Sequence, residues 1–200
     1  MLAPHAKRWA PAVFAVASLF LSAPAFSSAA VAQTAKTDQE ESPAVLAARE
    51  YLQATGYRSR LEARLAPIAK SKLALKIMIE HVPAIEDRVV NIYAARFSAE
   101  ELREAGKFFR SATGVLYFNF NTEMNTNPYT TPEIYRNEVA KRFTVQQRAE
   151  VFAYVSSSVG KKMQRLLPEL VKAEHDAADA WGHDTQQDID RAVRAGEEVS

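Results

Sequence analysis

Apolar residues recur along this chain three and four positions apart, the interval of one helix face, and turn residues fall between the runs. Ser42-Pro43 predicts a helix start, because the serine oxygen can accept an orphan amide and proline needs no donor at the first helical position. Gly56 is the matching stop. A second helix carries Leu61, Leu65 and Ile68, kinks or breaks near Pro67, continues through Leu73, Ile77 and Met78, and ends at Pro83. Ile85, Val89, Ile92 and Tyr93 mark a third amphipathic helix. Asn119 to Thr131 holds four asparagines, with Pro128 near its end, and predicts a loop. Val115 to Phe120 has strand composition but no obvious partner strand to satisfy its backbone. The expected fold is all-α: a compact helical domain over residues 43–182, made of helix-turn-helix units.

The same pattern repeats at an offset of 46 residues, pairing Ala94 to Gly114 with Ala140 to Gly160. Six of the 21 positions are identical, among them Arg96/Arg142, Phe97/Phe143, Ser111/Ser157 and Gly114/Gly160. Ser98-x-x-Glu101 and Thr144-x-x-Gln147 are both capping boxes, so each starts a helix. Phe97 and Phe143 precede the caps, where an apolar side chain clamps the first turn. Arg96 and Arg142 end the preceding helices, where a cation meets the negative end of the dipole. Each unit, about 86–131 and 132–177, reads as helix, tight turn, capped helix and a Ser-x-x-Gly joint into a further helix. Thr131-Pro132 opens the second unit as Ser42-Pro43 opens the domain.

Residues 1–32 have the three parts of a secretory signal: Lys7 and Arg8, an apolar run from Trp9 to Leu21, and small residues ending Ala30-Val31-Ala32. Cleavage is expected before Gln33 or a few residues earlier, with export to the periplasm or beyond. The uncharged stretch that contains this run is interrupted by Pro11, Ser18, Ser22 and Pro24, and no later segment is apolar enough to span a membrane. Residues 33–42 read as a flexible leader and 183–200 as an acidic tail. There is no cysteine, which removes disulfides, thiolate catalysis and a cysteine-ligated zinc. Without Lys7 and Arg8 the 25 basic residues fall to 23 against 24 acidic, a net charge of −1 that gives no reason to expect nucleic acid. Arg49 to Glu80 carries seven basic and three acidic residues, and Glu169 to Ser200 carries nine acidic and three basic. These are either two solvated helix faces or a dipolar docking surface.

The stretch Ile92-Tyr93-Ala94-Ala95-Arg96-Phe97-Ser98-Ala99-Glu100-Glu101-Leu102, followed by Phe108-Phe109-Arg110-Ser111-Ala112-Thr113-Gly114, resembles the bacterial domain-of-unknown-function family that carries the number 2059. That family's pattern runs from a capped helix into an aromatic pair, a Ser-Pro-x-Gly turn, a basic helix and a Pro-Glu-Leu step. Here the front half fits the first repeat, and Gly160-Lys161-Lys162 with Pro168-Glu169-Leu170 fits the back half in the second. Ala112 and Ser158 stand where the family usually has proline, and the Asn-rich loop has no counterpart. The resemblance spans roughly Ala44 to Trp181 and implies an exported helical protein. It implies no activity and no catalytic residue.

His175, Asp179 and His183 stand four apart and would share one helix face, with Glu174, Asp176 and Asp184 nearby, the donors and spacing a divalent metal takes. Gly182 as a helix stop would remove His183 from that face, and an acidic, solvated helix end accounts for the same residues. Glu104 and Glu150 are one carboxylate used twice, whereas acid-base chemistry needs two different environments. No histidine or lysine recurs beside Ser111 and Ser157 to act as base, so both read as caps. Tyr117, Phe118, Phe120 and Tyr129 gather around the expected loop and would either anchor a protein or peptide partner or close the core. With no phosphate loop, no metalloprotease signature and no basic-aromatic stripe, no cofactor is expected. The leading reading is a helical binding module. A metal-dependent hydrolase using His175 to Asp184 and an envelope folding helper are the alternatives, and oligomeric state is open.

Overall fold

The computed structural model describes residues 41–196. The expected signal peptide, nearly all of the leader and the last four residues lie outside that range. The described residues form nine helices, with no strand among them: α1 (Pro43–Ala54), α2 (Tyr57–Leu65), α3 (Lys72–Glu80), α4 (Val82–Ala94), α5 (Ala99–Arg110), α6 (Ala112–Thr126), α7 (Pro132–Arg142), α8 (Val145–Ser156) and α9 (Ser158–Ala195). The all-α expectation therefore holds, and the region read as a possible strand lies inside α6.

Most boundaries follow the local chemistry. Ser42 accepts the Val45 amide and opens α1, and Gly56, at φ 65°, takes the left-handed turn between α1 and α2. α2 stops just before Pro67, and Pro83 stands in the first turn of α4. Ser98 and Thr144 form both halves of their capping boxes with Glu101 and Gln147. Phe97 and Phe143 are buried beneath those caps. Arg96 donates to the Ile92 carbonyl at the end of α4, as the dipole argument expects. At the end of α7 that task falls to Arg148, which reaches the Ala140 and Phe143 carbonyls, while Arg142 turns to Glu123 and Glu138.

The two helix joints are built alike. Ser111 caps α6 by accepting the Gly114 amide, and Ser157 caps α9 by accepting the Gly160 amide. A methyl group on Gly114 would lie 1.9 Å from the Phe108 carbonyl oxygen, and one on Gly160 would lie 2.1 Å from that of Tyr154. Each joint thus needs glycine where one helix crosses the end of the last. The Phe108 and Tyr154 rings stack with centroids 4.1 Å apart and planes 3° from parallel. Around them Phe109 meets Tyr51, Phe118 and Tyr154 edge-on, which locks α1, α5, α6 and α8 into one core.

Two expectations need correction. The segment read as a loop from Asn119 to Thr131 is helical to Thr126, leaving only 127–131 between α6 and α7. Asparagine is a poor helix former in isolation, but here Asn121 is buried, donates to the Tyr117 carbonyl and accepts from the Tyr135 hydroxyl at 2.9 Å. Packing of Tyr117, Phe120 and Met124 then holds the helix together. Nor does the chain loosen after Gly182: α9 runs unbroken to Ala195, and Ile189 and Ala192 close a small apolar cluster with Ala74 and Ile77 of α3. Trp181 donates to the His81 carbonyl at 2.8 Å, and His81 Nε2 lies 3.1 Å from Asp188, so the residues expected to form a tail are docked on α3. No helix among the described residues is long and apolar enough to cross a membrane.

Candidate functional site

The proposed metal ligands do not converge. His175 faces Asp179 at 3.5 Å along the helix, whereas His183 stands 2.8 Å from Gln187. The neighbouring acids are engaged elsewhere: Asp176 with Lys172, Asp184 with Arg88 of α4, and Glu174 with the Tyr93 hydroxyl. Among the described residues no group of three or more His, Cys, Asp or Glu is arranged to hold a metal ion. A single exposed helix spreads its donors along its length, and α4 meets this stretch with an arginine rather than a ligand.

The aromatic candidates divide. Tyr117, Phe118 and Phe120 lie on the inward side of α6 and are buried, Phe120 between Tyr135 and Phe143 and Phe118 against Phe109. They are core, because the extension of α6 turned a supposed loop into a packed helix face. Tyr129 alone stays on the surface, 80% exposed in the short turn before α7.

An apolar surface that the residue pattern did not single out lies on α8. α7 has no buried residue, and α8 buries only Tyr154. On α8, Val145 is 76% and Phe152 53% exposed, Ala149 and Ala153 are exposed beside them, and Val151 and Val155 are half-buried. By contrast α5 has its apolar face sealed by α1, where a methyl group on Gly106 would meet Tyr51 Cα at 3.7 Å, an ordinary contact distance.

A polar cluster also sits within the helices, where α2 and α9 meet α1 and α4. Tyr93 donates to Glu174 at 2.8 Å, and the Tyr51 and Tyr93 rings lie 5.1 Å apart. Burial raises the Glu174 carboxyl above its ordinary range, against the opposing pull of the Tyr93 hydrogen bond and the Arg60 charge. Burial likewise pulls the Arg60 guanidinium down to about 10, helped by the like charge of Arg64. Burial pushes the hydroxyls of Tyr51, Tyr57 and Tyr93 up, so all three stay protonated donors at neutral pH. One sequence signal for this cluster exists. Glu174 falls four residues after Leu170 and seven before Trp181, on the same inward stripe of α9, where an acid is out of pattern.

A family model described as an uncharacterized protein conserved in bacteria, DUF2059, matches residues 83–116. Those residues run from Pro83 of α4 through α5 into the first turns of α6, and so contain the first capping box and the first Ser-x-x-Gly joint. The match is narrower than the resemblance read over Ala44 to Trp181 and does not include the second joint. Comparison with curated proteins and with solved structures found no match.

Proposed function

We propose that this chain is an exported helical interaction module, binding rather than catalytic, in which one helical unit is used twice. Export rests on the basic, apolar and small-residue parts of segment 1–32. N-terminal sequencing of protein recovered from a secretion-competent bacterium tests it. A chain starting at Gln33 or slightly upstream is expected, and an uncut chain starting at Met1 would refute export.

Duplication is supported by the two joints, which share a capping box, a buried phenylalanine before it, a serine cap and a crowded glycine. The matched residues Phe108 and Tyr154 also touch one another, as equivalent residues do across a two-fold relation. α5 packs on α9 and α6 packs on α8, the same crossing seen from either unit.

The observation that carries the binding reading is what a shift of 46 residues does to the covered face of α5. Leu102, Ala105, Gly106 and Phe109 are buried, and become Arg148, Val151, Phe152 and Val155 on α8, half-buried or exposed. In the first unit an amphipathic helix, α1, covers that face with Ala47, Ala48, Tyr51 and Leu52. The occupant this favours on α8 is a helix of another protein with small residues at the crossing, laid in as α1 is on α5. A photo-crosslinking residue at position 145, used in the bacterial envelope, should give one adduct with a different protein, abolished by Ala149→Arg without loss of thermal stability. An adduct only with a second copy of the chain, or no adduct, would refute this reading.

A further inference from the structure

The stretch from Ala63 to Ile79 comprises the end of α2, the turn after it and nearly all of α3. It carries Arg64, Lys70, Lys72 and Lys76 and no acid, with Glu62 and Glu80 bounding it on either side. Lys141, Lys162 and Lys172 each close on a carboxylate. Lys70, Lys72 and Lys76 are exposed and, among the described residues, have no ion-pair partner. The helix packed on α3 does not supply one: on α9, Asp188 is held between His81 and Arg191, and Asp190 accepts from Gln186.

The same corner is more apolar than its packing uses. α3 buries only Ala74 and Ile77, which meet Ile189 and Ala192 of α9 in a cluster separate from the main core. Leu73, Leu75 and Met78 stay half-buried. Ile68 in the turn and Ile79 at the end of α3 are each 43% exposed, and Pro67 is exposed beside Ile68. Lys72, Lys76 and Ile79 stand four and three residues apart and so share one outward helix face.

We propose that this face of α3, with the Pro67–Ile68 turn, is a docking surface for an anionic lipid bilayer. Lysine ammoniums are compact hydrated charges on flexible stems, suited to a diffuse layer of lipid phosphates rather than to the paired geometry that arginine offers a carboxylate. Isoleucines set among them enter the headgroup boundary while the ammoniums stay level with the phosphates. Ile68 and Ile79 stand at opposite ends of a nine-residue helix about 14 Å long, an arrangement that fits a flat, deformable surface better than the compact anchor cluster of a protein epitope. The contact is peripheral, since no helix among the described residues is long and apolar enough to cross a membrane. It lies on α3, apart from the partner face of α8, and neither proposal depends on the other.

Sedimentation of the chain, purified from the secreting bacterium, with vesicles of phosphatidylcholine alone or mixed with phosphatidylglycerol tests this. Binding should be saturable on the anionic vesicles, at least tenfold tighter than on the neutral ones, and weakened by salt. The combined change Lys70→Gln, Lys72→Gln and Lys76→Gln should weaken it at least tenfold. The control set Lys107→Gln, Arg136→Gln and Lys161→Gln removes three exposed cations elsewhere and should weaken it less than threefold. Because the chain has no cysteine, a polarity-sensitive fluorophore can be attached at Ile68→Cys, Ile79→Cys or, on α8, Val145→Cys. Anionic vesicles should shift its emission to the blue at positions 68 and 79 and leave it unchanged at 145. If the lysine variant does not fold, the fluorophore pattern decides. Equal binding to both kinds of vesicle, equal loss in the two triple variants, a shift at position 145 alone, or binding to polyglutamate with none to vesicles would overturn the assignment.

Discussion

Replacing Gly114 with alanine would set a methyl carbon 1.9 Å from the Phe108 carbonyl oxygen, 2.7 Å from its carbon and 2.8 Å from Phe109 Cα. A carbon rests roughly 3.3 Å or more from a carbonyl oxygen, so the joint would have to open by more than about 1 Å. The carbonyl cannot retreat freely, because it accepts from both the amide and the hydroxyl of Ser111, at 2.9 and 2.7 Å. Overpacking of this kind costs about 1–3 kcal/mol. Disturbing the serine cap adds about 1 kcal/mol, and loosening the Phe108–Tyr154 stack about 0.5–1.5 kcal/mol. Alanine's higher helix propensity returns about 1 kcal/mol. The net loss is on the order of 2–4 kcal/mol, or a fall in melting temperature of roughly 5–12 °C for a domain of this size. Gly182 is the internal control: it lies within α9 and a methyl group there would meet nothing within 4 Å, so Gly182→Ala should gain about 0.5–1 kcal/mol. Both are measured by urea unfolding followed by circular dichroism. Equal effects of the two alanines, or a neutral Gly114→Ala, would refute the claim that the joint geometry demands glycine.

Ile189→Ala should cost about 2 kcal/mol by chemical denaturation, because Ile189 is buried with Ala74, Ile77 and Ala192; an unchanged midpoint would mean that residues 183–195 do not help hold α3. Glu174→Gln should flatten one part of the pH dependence. Burial raises the folded carboxyl above its unfolded value, so the native state holds the proton more tightly and stability falls as pH rises from the ordinary carboxyl range through the raised value. The glutamine variant should lose that slope, and a slope kept intact would place its origin elsewhere. Lys162 lies 2.7 and 2.8 Å from the two Glu101 oxygens and 5.0 Å from the Phe97 ring centre, so Lys162→Met should cost about 0.5–1 kcal/mol at neutral pH. Burial alone would lift the Glu101 carboxyl, but Lys162 and the Ser98 amide together hold it below its usual value. That stabilisation is present above the ordinary carboxyl range and disappears as pH falls through the lowered value, where the two proteins should converge in a pH-resolved melting series.

The helix starts were legible because capping is local: Ser42, Ser98, Ser111, Thr131, Thr144 and Ser157 each accept an amide within their own first turn. The same holds for the stop at Gly56, where only backbone freedom is asked for. The length of α6 was not legible, since Asn121 is helical only because Tyr135 and the apolar side of the same helix give its amide a buried partner. Nor was the docking of residues 183–195, which rests on Ile189 and Ala192 meeting Ala74 and Ile77 of α3, a helix about 110 residues earlier in the chain, and on Asp188 meeting His81. For candidate sites the division is sharper. Sequence spacing put His175, Asp179 and His183 on one side of a helix, and it could equally pick out Glu174 as an acid on an apolar stripe. It could not pair Glu174 with Tyr93 or leave Arg60 unpaired over Phe118, because those relations join α9 to α4 and α2 to α6. What the sequence determined by itself was where helices begin, which way their apolar sides face, and where the two Ser-x-x-Gly segments stand. Only the tertiary structure decided which of those sides are covered, which charges find partners and which do not, because burial and pairing are properties of elements brought together from far along the chain.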